Sequence, residues 1–315
     1  MDVFVAGGTG VLGRAALQPL VQAGHRVRSS ARGKEKSDLI RSLGAEPVDV
    51  DLYDPASLRE AIAGCGAVLR LTTRIPALMK MRNGNAWLET NRLRSEGARL
   101  LVDAAIAEHV SIYVHESVAF VYRDGGTGWL TEDAPTDDGG KAILRAALAG
   151  EAEAQRFSNS GGRGIVLRFG GFYGPDAPST PETISLARKR MLFRVGAAAN
   201  YFSSIYVADA GRAVAAALNV TSGIYNVCDD EPASFAGILQ IICDAARAPK
   251  PLHVPGFLGP WLYGAGWRYV SRSLRVSNAR LKQHSTWAPV VRSASQGWPL
   301  LMAELEPAAR AKSPG

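Results

Sequence analysis

The sequence predicts an α/β protein, a doubly wound parallel sheet that carries a smaller C-terminal lobe. Three observations point there. An apolar strand over residues 2–6 runs straight into Gly7-Gly8-Thr9-Gly10-Val11-Leu12-Gly13, and an amphipathic helical pattern follows through Leu17, Leu20 and Val21. Strand and helix signals then alternate through the first half of the chain, which argues for parallel strands with helices on both faces. Beyond Gly174-Pro175 the punctuation changes, with Pro175, Pro178 and Pro181 in quick succession.

The first strand, turn and helix make a diphosphate cradle. Gly7 permits the tight turn, Gly10 lets the backbone approach a pyrophosphate, and Gly13 lets the helix pack against the strand. Amide donors at the helix start face the ligand's negative charge, and Thr9, Val11 and Leu12 complete that loop. This is the Rossmann arrangement. A second strand covers 25–31, a helix 34–43 and a third strand 46–50. The helix 55–63 is opened by Asp54 as its N-cap, with Pro55 at the first helical position. A fourth strand (67–71), a long helix (86–108), a fifth strand (111–115), a helix (141–157) and a sixth strand (165–169) follow. The chain returns to the sheet at Ile205-Tyr206-Val207, continues into a helix over 208–218, and forms a short strand over 224–227. A helix near 236–247 precedes an apolar stretch, 254–270, that holds Trp261, Tyr263, Trp267 and Tyr269. That stretch reads either as the core of a small lobe or as a cap that favours an apolar or aromatic substrate. Residues 1–174 with 203–228 are expected to form the nucleotide-binding domain, and 175–202 with 229–307 the substrate-binding lobe. Residues 308–315 are expected to be a disordered tail.

Composition narrows the function. The 36 Lys and Arg against 29 Asp and Glu give a formal charge of +7, spread along the 315 residues. Arg188-Lys189-Arg190 reads as a solvated helix face, and without a reader module no nucleic-acid partner is expected. The basic balance favours anionic ligands, including a phosphorylated cofactor. No stretch reaches the roughly 18 apolar residues of a membrane span, and no membrane partner is expected. A strand beginning at residue 2 leads us to expect no signal peptide. Cys65, Cys228 and Cys243 form no CxxC spacing and read as buried thiols in a reducing cytoplasm. Five scattered histidines with no HExxH pair imply no metal site.

The end of the second strand judges the dinucleotide. An acidic residue there bonds a ribose 2′-hydroxyl, whereas an arginine accommodates a 2′-phosphate. The run Ser29-Ser30-Ala31-Arg32-Gly33-Lys34 offers Arg32 and no acid before Glu35. An arginine–phosphate contact of roughly 1.5–3 kcal/mol corresponds to a preference for NADP(H) on the order of 10–150-fold. Asp51 and Leu52, closing the third strand, sit where an adenine edge would lie. Asp51 either accepts from the adenine amino group or caps the following turn. Leu71, Thr72 and Thr73 border the crevice beside the ribose and diphosphate.

These residues resemble the extended short-chain dehydrogenase/reductase superfamily, in its epimerase/dehydratase-like branch. The resemblance covers roughly residues 1–300. It rests on the glycine run, on Asp51-Leu52, and on Glu96-Gly97-Ala98-Arg99-Leu100-Leu101-Val102-Asp103-Ala104-Ala105. Val121-Tyr122, the run from Leu167 to Pro175, and Ile205-Tyr206-Val207-Ala208-Asp209-Ala210 add to it. The resemblance implies a homodimer through the long fourth and fifth helices. It also implies a Ser or Thr after the fifth strand, and a Tyr and a Lys four residues apart on the next helix. The tyrosine serves as general acid or base, and the lysine lowers its pKa and binds the nicotinamide ribose. This chain departs from that pattern. Val118 takes the Ser/Thr position with Ser117 one step earlier, Ala147 replaces the tyrosine, and Glu151 replaces the lysine. Arg94 stands where some members carry an asparagine, and no YxxxK occurs anywhere in the chain.

Candidate replacements for the proton donor are His115, Ser117, Tyr122 and Tyr173. His115 sits at the expected end of the fifth strand, where such sheets place ligands. Ser117 would take over the missing hydroxyl's task if the turn shifts by one residue. Tyr122 is an acid by its chemistry, and Tyr173 precedes Gly174-Pro175 near the nicotinamide side. Glu151 would accept from ribose hydroxyls. The expected function is an atypical NADP(H)-dependent oxidoreductase acting on a small carbonyl or alcohol. The alternatives are a non-redox isomerase, cyclase or dehydratase on the same scaffold, or a non-catalytic NADP(H)-responsive binding protein.

Overall fold

A computed structural model describes residues 1–77, 80, 81, 83–196, 199–264, 267 and 271–311. The central sheet contains β1 (Asp2–Ala6), β2 (Arg26–Ser30), β3 (Glu46–Val48), β4 (Ala67–Arg70), β5 (Ile112–Val118), β7 (Arg163–Phe169) and β12 (Gly223–Val227). Its order is β12-β7-β5-β4-β1-β2-β3, and every pairing is parallel. The order reverses on either side of β1, so a ligand crevice lies beyond the carboxyl ends of β1 and β4.

Helices bury both faces, which is why the strands read as near-continuous apolar runs. On one face α1 (Val11–Gln22), α2 (Lys34–Ser42) and α8 (Val207–Ala217) set Leu17, Ile40 and Val214 against Val3, Leu69 and Val114. On the other, α3 (Pro55–Ile62), α5 (Ala98–Ala107) and α6 (Ala142–Asn159) set Leu58, Leu101 and Phe157 against Phe4, Val68 and Tyr113. Asp54 caps α3 as expected, its carboxylate accepting from the amides of Ala56 and Ser57.

Two elements differ from the sequence reading. The long helix expected over 86–108 is a 3₁₀ turn (Gly84–Trp87), α4 (Leu88–Arg92), a π turn (Leu93–Gly97) and then α5. Strand β5 does not stop at His115 but runs to Val118, with Glu116 paired to Leu167 and Ser117 to Arg168. Glu116 and Ser117, which read as lying beyond the strand end, are strand interior, because buried partners satisfy them.

A second core gathers α7 (Ser179–Arg188), α9 (Phe235–Ala245) and the last helix. Tyr173, Tyr206, Ile238, Ile242, Trp298 and Leu301 meet there. Short pairs stitch this region together: β8 (Gly171–Tyr173) with β11 (Ser204–Tyr206), β9 (Phe193–Val195) with β14 (Leu252–Val254), β10 (Tyr201–Phe202) with β13 (Ala233–Ser234), and β6 (Trp129–Leu130) with β15 (Arg275–Val276). After α10 (Gly259–Tyr263) and α11 (Ala279–His284), the chain touches the sheet again. Leu281 and Trp287 join the sheet's core, so residues 229–307 contribute to both cores. The last helix, α12 (Ala294–Ala311), carries helical backbone past 308. Residues 312–315 of the expected tail, like Tyr269, lie outside the described residues. The three cysteines are buried and unpaired.

Helices α1 and α8 cross at Gly211, where a Cβ would overlap the carbonyl of Ala15. Gly211→Ala is therefore expected to destabilise the fold by about 1–3 kcal/mol through overpacking. A thermal melt showing an unchanged midpoint would refute that close approach.

Candidate functional site

The crevice floor begins with the glycine turn. Gly7 has φ of +99°, and its amide donates to Ser30 Oγ at 2.9 Å. Gly10 donates to the Gly7 carbonyl at 3.0 Å, and a Cβ on Gly13 would overlap that same carbonyl. Helix α1 opens at Val11 with no side-chain cap and no acid in its first turn. Its first amides are thus left for an anion, and the cradle fits a dinucleotide diphosphate. Gly7, Thr9, Gly10, Val11, Leu12 and Gly13 come together in this turn. Leu71 and Thr72 join them, for a Cβ on Gly7 would press on both. Thr73 continues the same segment, half-buried.

Arg32 and Asp51 also meet, but each other: their ion pair measures 2.9 Å, and both side chains are more than half exposed. Arg32 Nε donates to the Val50 carbonyl at 3.2 Å. The amide of Tyr53, and then Arg32, lower the Asp51 pKa. Leu52 lies beside them, half-buried, and packs against the core under α3.

Behind the cradle lie two buried charge clusters. In the first, Glu116 accepts from Arg70 Nη1 at 3.2 Å and from Arg94 Nη2 at 3.0 Å. Arg70 also donates to the carbonyls of Glu116 and Thr72. All three side chains are at least 97% buried. Arg94 arrives on the π turn, which reaches this carboxylate from the α4–α5 side.

In the second cluster, the Ser117 hydroxyl donates to Glu151 Oε1 at 2.5 Å. Arg168 clamps the same carboxylate, Nε to Oε1 at 2.9 Å and Nη2 to Oε2 at 2.6 Å. The Arg168 guanidinium lies over the Tyr122 ring, 4.8 Å from its centroid. Ser117, Arg168 and Asn226 occupy one register row across β5, β7 and β12.

The other expected proton donors lie elsewhere. His115 is a correction: it is fully buried inside β5, with its ring against the bare Cα of Gly150. Burial, helped by Arg70 and Arg94, pushes its pKa well below the histidine range, and Nδ1 faces the Tyr113 hydroxyl at 3.3 Å. It is a neutral packing residue and not a shuttle at a strand end. Tyr122 is also fully buried and donates to Asn226 Oδ1 at 2.8 Å; burial pushes its pKa up to about 12. Tyr173 sits in the second core, stacked on Trp298, and its hydroxyl reaches Asp229 Oδ2 at 3.2 Å. Burial and Asp229 raise its pKa still further. Neither phenol is poised to give up a proton near neutral pH. Ala147, in the family's tyrosine position, is buried against Val121 and Leu144. Sequence reading passed over Arg70, Arg168 and Asp229. Arginine inside apolar strands, as in Val68-Leu69-Arg70-Leu71 and Val166-Leu167-Arg168-Phe169, is the available signal for the first two; Asp229 follows β12 and lies in no strand.

A family model described as NAD(P)H-binding matches residues 7–191. The chain is 34% identical to a Streptomyces 3-diazoavenalumate denitrifying reductase, over 92% of this chain and 96% of that protein. It is 26% identical to the 2-alkyl-3-oxoalkanoate reductase of Shewanella oneidensis, over 81% and 69% of the two chains. Human epimerase family protein SDR39U1, solved with NADPH, superposes with a TM-score of 0.77 at 19% identity, covering 96% of this chain and 99% of that one. The Thermus thermophilus UDP-glucose 4-epimerase, solved with NAD, gives 0.75 at 22%, covering 98% and 100%. Both structures establish the Rossmann architecture.

Glu116→Gln removes the charge that holds two buried guanidinium groups, so it is expected to cost about 3–5 kcal/mol in a denaturant melt. A loss under 1 kcal/mol would show the cluster to be hydrated. Asp229 makes a pH prediction. Burial raises its pKa to about 7 from an ordinary 3.8. Between those values the folded chain holds one proton more than the unfolded chain, so its contribution falls as pH rises from about 4 to 7. Relative to wild type, Asp229→Asn is expected to gain up to about 1.4 kcal/mol per pH unit across that window. A stability difference independent of pH would rule out the buried acid.

Proposed function

The chain belongs to the NAD(P)H-binding family and, within the short-chain dehydrogenase/reductases, to the extended, atypical kind; on that premise we propose that it is an NADP(H)-dependent reductase whose small aromatic acceptor needs no proton from the protein. One observation carries this reading: the buried Ser117 hydroxyl directs its single donor to Glu151. In the family pattern the serine and tyrosine present donors to an oxygen that becomes negative, and the lysine lowers the tyrosine's pKa. Here Ala147 presents no donor, and Ser117 is left with lone pairs backed by a carboxylate. That wall offers lone pairs and no donor, which leaves an alkoxide without stabilisation.

When bound, a reduced nicotinamide supplies a hydride. An acceptor that is already cationic, such as an arenediazonium, becomes neutral on reduction and calls for no general acid. The Streptomyces relative is named as a reductase that denitrifies a diazo compound, which accords with this. A ketone would instead leave an unprotonated alkoxide beside Glu151, and losing a positioned acid typically costs about 10²–10⁴-fold. The acceptor is then small and aromatic, but not the carbonyl that the sequence leads one to expect. Arg32 would turn from Asp51 to a 2′-phosphate, Glu151 and Thr72 would face ribose hydroxyls, and the α1 amides would take the diphosphate.

The test follows NADPH oxidation and dinitrogen release with a carboxylated arenediazonium salt, beside a panel of ketones and aldehydes. The diazonium is expected to turn over and the carbonyls to lag by 10² or more. NADPH should be preferred over NADH by about tenfold or more, and Arg32→Ala should abolish that preference. Glu151→Gln is expected to lower kcat roughly 10²-fold. Carbonyl turnover that Glu151→Gln leaves untouched would sink the proposal. Cofactor binding without turnover of any acceptor would favour a nicotinamide-responsive binding protein.

A further inference from the structure

Although the charge of +7 looks dispersed in sequence, the fold gathers part of it. Residues 183–208 and 245–303 contain no Asp or Glu. Much of the positive charge in the second stretch is answered from elsewhere: Arg272 pairs with Asp137, Arg280 with Asp133, and Lys282 and Arg292 with Asp230. Arg188, Lys189, Arg190, Arg194 and Lys250 are all exposed, and none takes part in an ion pair among the described residues.

These five are neighbours in space. Helix α7 ends at Arg188 and leads directly into β9, which pairs with β14 in the register Phe193–Leu252 and Arg194–His253. The Tyr263 hydroxyl donates to the Phe193 carbonyl at 2.6 Å, and Gly256 lies against Gly196. The end of α7, the β9–β14 ribbon and residues 256–263 therefore form one edge of the second lobe. On that edge four large apolar side chains stand out: Phe257 is 80% exposed, Trp261 72%, Leu252 43% and Met191 42%. Cations at a helix carboxyl terminus are ordinary on their own, since they complement its dipole. Two aromatic rings held outward beside them are not, because folding gains nothing by exposing them.

We infer that this edge docks on an anionic lipid surface. The arrangement has the two components of interfacial binding: rings and aliphatic chains able to enter the acyl boundary, and lysines and arginines placed to meet headgroups. Charge complementarity supports it, for no carboxylate on either stretch would repel an anionic bilayer. A nucleic acid would answer the cations but would offer Met191 and Leu252 no apolar medium. This inference stands on the lobe's edge alone and is independent of the acceptor's identity.

The full chain should be sedimented with vesicles of phosphatidylcholine alone and of phosphatidylcholine with phosphatidylglycerol, across a salt series. Binding is expected only to the anionic vesicles, and should weaken as salt rises. The variants Phe257→Ser with Trp261→Ser, and Arg188→Ser with Lys189→Ser and Arg190→Ser, should each lower it about tenfold or more. NADPH titration should be unchanged in both variants, which shows that they remain folded. Failure of the wild type to bind anionic vesicles would overturn the inference, as would binding undiminished without the aromatic pair. Equal affinity for an oligonucleotide, surviving loss of both rings, would overturn it too by marking a general polyanion site.

Discussion

Two buried glutamates, each held by arginine, organise the carboxyl edge of the sheet. Glu116 between Arg70 and Arg94, and Glu151 under Arg168, place three guanidinium groups against two carboxylates in a region closed to water. Charges of this kind persist in a low-dielectric interior only when each has partners with good geometry. That requirement explains several features at once. It lets β5 run on to Val118 through residues that would otherwise end a strand. It gives the π turn a purpose, since the turn carries Arg94 to Glu116. It also accounts for a neutral His115, which lies beside Arg70 and Arg94 with its Nε2 unpartnered.

The nucleotide half was legible because its signals are local. A glycine turn, an N-capping Asp54 and alternating apolar runs each depend on neighbours in sequence, and those elements stand where the periodicity put them. The candidate site was legible only in part. The positions of Ser117, Ala147 and Glu151 were readable from the resemblance, and so was the loss of a tyrosine–lysine pair. What those residues do was not, because Ser117, Glu151 and Arg168 come from three elements and meet only through sheet register and helix packing. His115 misled for the same reason. An isolated reading ends a strand at the first polar pair, whereas buried partners contributed by β4, β7 and the π turn allowed the strand to continue.

The second half of the chain was harder to divide because it serves two cores. Asp209, at the start of α8, accepts from the amides of Val290 and Val291, and its backbone carbonyl accepts from Trp287 Nε1. This one residue ties a segment from the C-terminal third to the nucleotide half. Asp229 does the converse. It leaves β12 and receives hydrogen bonds from Ser204 and Tyr173 on the strands that enter the second core. Long-range contacts of single side chains leave no periodic trace, so composition shifts alone placed the boundary.

The polarity of the crevice wall follows from these constraints. A lysine at position 151 would stand beside Arg168, and two cations in that space would need a further carboxylate. Glutamate neutralises Arg168 and, having done so, accepts the Ser117 hydrogen bond as well. With the lysine gone and Arg168 already paired to Glu151, a tyrosine at position 147 would lack the lysine that lowers its pKa in the family pattern. On the proposed reading, the departures at positions 118, 147 and 151 are coupled through Arg168. The scaffold keeps its cradle, its sheet and its crevice, while on the proposed reading the reacting face changes from one that gives protons to one that withholds them.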